Sequence, residues 1–297
     1  MKKVKALTLK IKAKRKKKIN NLLGMKITAT EVNDLRKSTG AGMMDCKKAL
    51  VEANGNHEKA IEILRKKGQK VAANRAERES TEGVVLLKIN EQKSEGVIVS
   101  LNCETDFVAK NKDFLNFASE ILNVAENVNS MESLLNSKIG DLSISDKLIE
   151  QTGIIGEKIE IGNFKKLSGK HIGGYVHAGN KIAAMVALSD SNPVAEEVSK
   201  NVAMQVAAMN PLALDENSVN SSIVEKETEI IKEQLVKEGR PENIIDNIIV
   251  GKLKRFYKDN TLIRQSYIKD SKVSVEDYVK SIDKNLSITS FIRVSLV

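Results

Sequence analysis

Few residues in this chain offer chemistry of their own. Of 297 residues, three are histidines (His57, His171, His177) and two are cysteines (Cys46, Cys103). His171 and His177 lack the third ligand that a zinc site needs, and His57 falls on a polar helix face. Two cysteines cannot build a disulfide framework, which fits a reduced compartment and a cytoplasmic location. Cys46 lies on a helical apolar stripe and Cys103 on the apolar face of a strand, where a thiol packs rather than reacts. Gly40-Ala41-Gly42 has neither the Lys-Ser/Thr pair of a phosphate loop nor the strand that precedes a dinucleotide site, so it reads as a turn between helices. No nucleophile elbow, zincin motif or kinase set is present. The expectation is a non-enzyme with no catalytic residue, no cofactor and no metal. A small enzyme acting through Cys103 and His177 is the remotest reading, and it requires alkylation of Cys103 to abolish an activity.

Two segments are instead chemically suited to contact. Asn102-Cys103-Glu104-Thr105-Asp106-Phe107-Val108-Ala109-Lys110-Asn111 leaves a strand and enters a helix, at a sheet rim where loops carry function. Phe107 beside Asp106 either staples the next helix to the sheet or serves as an apolar wedge for a partner protein, the staple being the commoner use. Met43 and Met44 are adjacent, so only one can face a small core. Met43 falls on the apolar stripe and Met44 about 100° away, where an adaptable side chain suits a contact surface.

The elements that position these residues are legible as an α+β fold. Thr28 and Glu31 form a capping box with Ile27 and Val32 at the staple positions, and Gly40 ends that helix. Met43, Cys46, Leu50 and Ala53 define a second helix, closed by Asn54-Gly55. A third, capped by Asn56 and carrying Ala60, Ile61 and Leu64, is expected to stop at Gly68. Together these make an N-terminal three-helix UBA-like bundle, with the basic run from Lys66 to Arg78 as linker. Two strands follow, over 83–89 and 96–103, the second with Val97, Val99, Leu101 and Cys103 on one face and Ser100 and Asn102 on the other. A helix with Phe114, Phe117, Ala118, Ile121 and Leu122 completes this unit. About 90 residues later the pattern recurs as strands over 173–178 and 182–188, then a helix opened by Pro193 with Val198, Val202, Val206 and Met209. The expectation is two related α+β subdomains with antiparallel strands. Residues 127–158 look helical, and Ile159, Ile161 and Phe164 alternate as a further strand. Apolar seams along Val224–Leu235 and Ile244–Phe256, broken at Gly239-Arg240-Pro241, predict an inserted antiparallel helical hairpin, a coiled coil, over about 217–260. A short helix around Tyr278 and a closing strand from Leu286 to Val297 end the chain. The expected segments are 1–24, 25–79, 80–166 with the Thr-Asp-Phe-Val motif, and 167–297.

The charge is unevenly placed. The formal net charge is +9, yet residues 1–24 hold ten basic and no acidic residues, leaving 38 basic against 39 acidic residues in the rest. The body is therefore near neutral, and no direct nucleic-acid contact is expected of residues 25–297. Because Met25 opens a well-formed helix start, 1–24 reads as a basic extension, disordered or not translated. The longest strictly apolar run, Ile182 to Leu188, falls far short of the roughly 18–20 residues of a membrane-spanning helix.

Three stretches carry a resemblance. Ile27-Thr28-Ala29 with Leu35-Arg36, Thr39-Gly40-Ala41-Gly42-Met43-Met44-Asp45-Cys46-Lys47-Lys48-Ala49-Leu50, and Thr105-Asp106-Phe107-Val108-Ala109-Lys110-Asn111 resemble bacterial elongation factor Ts from Met25 to Val297. The resemblance implies a guanine nucleotide exchange factor for elongation factor Tu, acting in the cytoplasm on the GDP-bound and nucleotide-free partner. It implies that Thr105, Asp106, Phe107 and Val108 disturb the partner's Mg²⁺ site, which favours the wedge reading of Phe107. It further implies partner contacts at Arg36, Met43, Met44, Ile155, Gly156 and His177. Some members continue into a further helix that touches Tu, so that contact is expected to be missing here. The basic leader has no counterpart in the family pattern.

Such a factor need break no bond. It binds the empty partner more tightly than the loaded one, and linkage weakens nucleotide by the same factor. The alternative is an RNA- or ribosome-associated adaptor using the basic arm, whose binding would fall steeply with salt and vanish on deletion of 1–24.

Overall fold

The computed structural model describes residues 27–296, and the basic leader lies outside them. In chain order, helices α1 (Ala29–Thr39), α2 (Met43–Glu52) and α3 (His57–Arg75) come first. Strands β1 (Glu82–Ile89) and β2 (Glu95–Cys103) lead into the one-turn α4 (Asp106–Ala109), α5 (Lys112–Ala125) and α6 (Met131–Asn136). A two-stranded ribbon, β3 (Lys138–Ile139) and β4 (Leu142–Ser143), precedes α7 (Ile144–Ile155) and β5 (Glu160–Ser168). Next are β6 (His171–Val176), β7 (Ile182–Leu188) and α8 (Ala195–Met209), then α9 (Ser221–Lys237) and α10 (Glu242–Asn260). The chain closes with β8 (Ser266–Tyr267), β9 (Asp270–Ser274), α11 (Val275–Ile282) and β10 (Ile288–Ser295). It divides into two compact units, residues 27–80 with 140–160, and 81–139 with 161–296.

In the first unit the local signals act as expected. Thr28 Oγ1 accepts from the Glu31 amide while Glu31 accepts from the Thr28 amide, and Gly40 ends α1 at φ +70°. Asn56 caps α3 by accepting from the Lys59 amide. Leu35, Cys46, Leu50 and Ala60 form the small core, with Ile27 packed against it. The third helix, however, does not stop at Gly68. It runs to Arg75, so most of the expected linker is helix. Gly68 is buried because α7 crosses α3 there, at Gly153. A glycine costs a helix interior about 1 kcal/mol, and here it admits the close approach of a neighbouring backbone. Residues 140–160, read from sequence within the 80–166 segment, thus fold with the N-terminal helices.

The second unit is layered. One sheet has the order β1-β2-β5 and the other β10-β7-β6, with β1–β2, β6–β7 and β7–β10 antiparallel. Val85 and Ile98 of the first sheet meet Ile172, Ala183, Met185 and Ala187 of the second. On the opposite face of β7, Ala184, Val186 and Leu188 meet Val198, Val202 and Val206 of α8. The strand period of two explains how the uninterrupted apolar run in β7 serves both faces. Helix α5 covers the outer face of β1 and β2. Strand β2 is correspondingly buried on both faces, including Ser100, rather than polar on one as the sequence suggested. Ser100 Oγ accepts from Asn163 Nδ2 at 3.2 Å, which satisfies a buried hydroxyl.

The consecutive glycines of β6 permit this stacking. A Cβ on Gly173 would meet Ser199 of α8 at 1.9 Å, and one on Gly174 would meet Leu87 of β1 at 2.4 Å. Helix α8 comes closer to β6 than a side chain at Gly173 allows, whereas at Gly174 the space is taken by the tip of the Leu87 side chain.

The helical hairpin forms as read. Pro241 precedes α10, and Ile231, Leu235, Ile245 and Ile249 bury one another along the seam. Val279 and Val275 of α11 join the core beneath α8, and β10 completes the second sheet.

Candidate functional site

The Thr-Asp-Phe-Val segment is α4 with its cap. Cys103, the last residue of β2, is buried, and its Sγ donates to the Thr105 carbonyl at 3.2 Å. That carbonyl also accepts from the Ala109 amide, and Ala109 is buried in turn. Asn111 then caps α5 through the Asp113 amide. One helical turn is therefore fastened at both ends, and what it presents outward is Phe107, 83% exposed. The phenyl ring staples nothing. Leaving a Phe side chain in water forgoes about 2–3 kcal/mol of burial, which the free chain does without at this turn.

Asp106 beside it is paired with Lys110 at 2.6 Å, one turn further on. The Lys110 hydrogen bond is the main cause that holds the Asp106 carboxyl below its usual range, and the same bond raises the Lys110 ammonium. The motif thus offers an ionised carboxylate and an apolar ring side by side. The role of Lys110 was missed in the sequence, although its i, i+4 spacing from Asp106 was the available signal.

His177 lies in the same unit, exposed in the turn between β6 and β7. Tyr175 Oη and His177 Nδ1 are 3.0 Å apart. The turn is shaped by Gly179 at φ +86° and Asn180 at φ +54°, which is the left-handed conformation a tight hairpin requires. The Asn180 carbonyl accepts from the Val85 amide of β1, and Lys181 Nζ pairs with Glu82. Since Glu82 stands opposite Cys103 in the β1–β2 register, the turn with His177 and the Thr105–Val108 segment share one rim of this unit.

The other expected contact residues gather in the first unit. Arg36 is exposed in the last turn of α1, and Ile155-Gly156 closes α7, Gly156 at φ +81°. The side chain of Ile154 approaches Gly40, which brings the end of α7 to the α1–α2 turn. Met43 does not take the core position that its spacing suggested. Both methionines are exposed, Met43 by 58% and Met44 by 61%, because the first turn of α2 projects beyond the core that Cys46, Ala49 and Leu50 fill. Two adjacent exposed methionines at a helix start give an adaptable apolar patch.

Among the described residues no group of three His, Cys, Asp or Glu could hold a metal ion, and no helix is long and apolar enough to cross a membrane.

Residues 104–297 match the family described as Elongation factor TS. The chain is 58% identical over 271 residues to elongation factor Ts of Christiangramia forsetii, covering 91% of this chain and 99% of that protein. It is 57% identical over 270 residues to elongation factor Ts of Flavobacterium psychrophilum, at 91% and 98% coverage. Against elongation factor Ts of Amoebophilus asiaticus it is 45% identical over 275 residues, at 91% and 99%. An α+β fold with these relatives defines a translation factor of the nucleotide-exchange class. The chain belongs to the elongation factor Ts family, and its partner is elongation factor Tu.

Proposed function

We propose that exchange proceeds by insertion of the α4 turn against the nucleotide-binding domain of elongation factor Tu, with Thr105, Asp106, Phe107 and Val108 disturbing the groups that hold Mg²⁺ and the phosphates. Arg36, Met43, Met44, Ile155, Gly156 and His177 supply further binding energy. The observation that carries this reading is the outward Phe107 on a turn anchored by Cys103 and Ala109. The reaction needs no bond chemistry from this chain, and it takes place in the cytoplasm.

The energetics are of the right scale. Weakening nucleotide 10⁴-fold takes about 5.5 kcal/mol of differential binding. Burying Phe107 only in the nucleotide-free complex contributes about 2–3 kcal/mol of this. Loss of Mg²⁺ coordination to the phosphates, helped by the Asp106 carboxylate, supplies the remainder. The test is release of fluorescent GDP from elongation factor Tu with catalytic amounts of the protein. Phe107→Ala should slow release without weakening the fold, and release as fast as wild type would overturn the insertion.

A further inference from the structure

Two contact points of the second unit, His177 and Phe107, stand on different sheets. His177 belongs to the β6–β7 hairpin, and Phe107 follows β2, whose neighbour is β1. A partner that engages both needs them in one fixed arrangement. The turn that bears His177 is exposed and has two residues in the left-handed conformation, so its own backbone does not fix its distance from α4.

Two polar contacts cross from that turn to β1. The Val85 amide, on the edge of the first sheet, donates to the Asn180 carbonyl at 2.7 Å. One residue further, the Lys181 ammonium, just before β7, meets the Glu82 carboxylate at the start of β1, both half-buried. Glu82 faces Cys103 across the β1–β2 ladder, and Cys103 holds the Thr105 carbonyl at the head of α4. The charges at this rim alternate as Lys181, Glu82, Lys110 and Asp106. Lys181 favours the ionised form of Asp106, and Glu82 favours the charged form of Lys110.

We infer that Glu82 and Lys181 are positioning residues for nucleotide exchange: their ion pair docks the His177 turn on β1 and so sets it in register with the Phe107 turn. The inference rests on the reading of Thr105–Val108 and His177 as contact residues. Neither Glu82 nor Lys181 touches the partner in this scheme. They act by letting one rigid rim, rather than two independent loops, meet it, so that binding does not have to order the turn at the moment of contact.

The experiment uses the full chain, fluorescent GDP on elongation factor Tu, and the release rate at sub-saturating factor, where the cost of ordering the turn is felt. Glu82→Gln and Lys181→Met should each lower that rate about fivefold, the scale of a partly exposed ion pair. The double variant should be no slower than either single one, because both remove the same contact. Lys181→Arg, which keeps the charge, should stay within about twofold of wild type, and the melting temperature should hardly move. Additive losses in the double variant overturn the pair as a unit. Single variants at the wild-type rate, beside a slow Phe107→Ala, overturn the strut and leave the contact reading standing. A fast Phe107→Ala overturns the contact reading itself, and the strut with it.

Discussion

Gly153 and Gly68 meet backbone to backbone where α7 crosses α3: a Cβ on Gly153 would stand 2.4 Å from the Gly68 Cα. The relationship is asymmetric, because a Cβ on Gly68 would lie 3.6 Å from the Gly153 Cα, an ordinary contact. Gly153→Ala should therefore destabilise by about 2 kcal/mol or more, since two backbones must separate. Gly68→Ala should be near neutral, its better helix propensity offsetting any crowding. Thermal unfolding of the two variants checks this, with a fall of roughly 4 °C or more expected for Gly153→Ala alone.

Phe107→Ala should reduce GDP release from elongation factor Tu about 30-fold, which is the kinetic equivalent of roughly 2 kcal/mol of lost burial. Its melting temperature should match wild type, because the ring touches little in the free protein. Rates from stopped-flow fluorescence and unfolding by circular dichroism together separate a lost contact from a damaged fold.

Met43→Ala and Met44→Ala should each weaken binding of nucleotide-free Tu several-fold, again without a stability change, as both side chains are exposed. A core methionine would behave oppositely, with a stability loss of about 2–5 kcal/mol on truncation. Calorimetric titration beside a melting curve decides between the two patterns.

His171 gives a pH dependence with a definite sign. Its ring is buried between Ser191, Glu196 and Lys93, and burial lowers its pKa below the ordinary 6.5, although Glu196 opposes the shift. The unfolded chain then takes up this proton at higher pH than the folded one. Stability is therefore full above about pH 6.5 and falls as the pH drops through it toward the folded value. In denaturant unfolding at pH 7.5 and 5.5, His171→Gln should show a smaller difference than wild type. Glu196, whose pKa is lowered mainly by its hydrogen bond to Lys93, contributes stability that is lost only at lower, carboxylate pH, outside this window.

Much of this was legible because the signals are local. The capping box at Thr28, the left-handed Gly40, the apolar run of β7 and the break at Pro241 each encode structure within a few residues. What escaped was set by partners distant in sequence. Gly68 looks like a helix stop until α7 is placed against it, 85 positions later at Gly153. Met43 has core spacing, yet Cys46, Ala49 and Leu50 fill the core and Met43 stays exposed. Ser100 looks solvent-facing until a second sheet covers it. At the site, the strand-to-helix position of the motif around Phe107 could be read, whereas the pairing of Glu82 with Lys181 could not. Nothing in the sequence between them, a separation of 99 positions, announces that they meet.

The helical hairpin has a core of its own, in which Ile231, Leu235, Ile245 and Ile249 cluster with Ile248 and Leu253 packed against them. The cluster under α8 draws no residue from either hairpin helix. Such a limb can open without breaching the layered body, so it forms a separate cooperative unit of lower free energy. Amide hydrogen exchange should register two tiers, with α9 and α10 losing protection together and early while the amides of β7 survive until the whole protein unfolds.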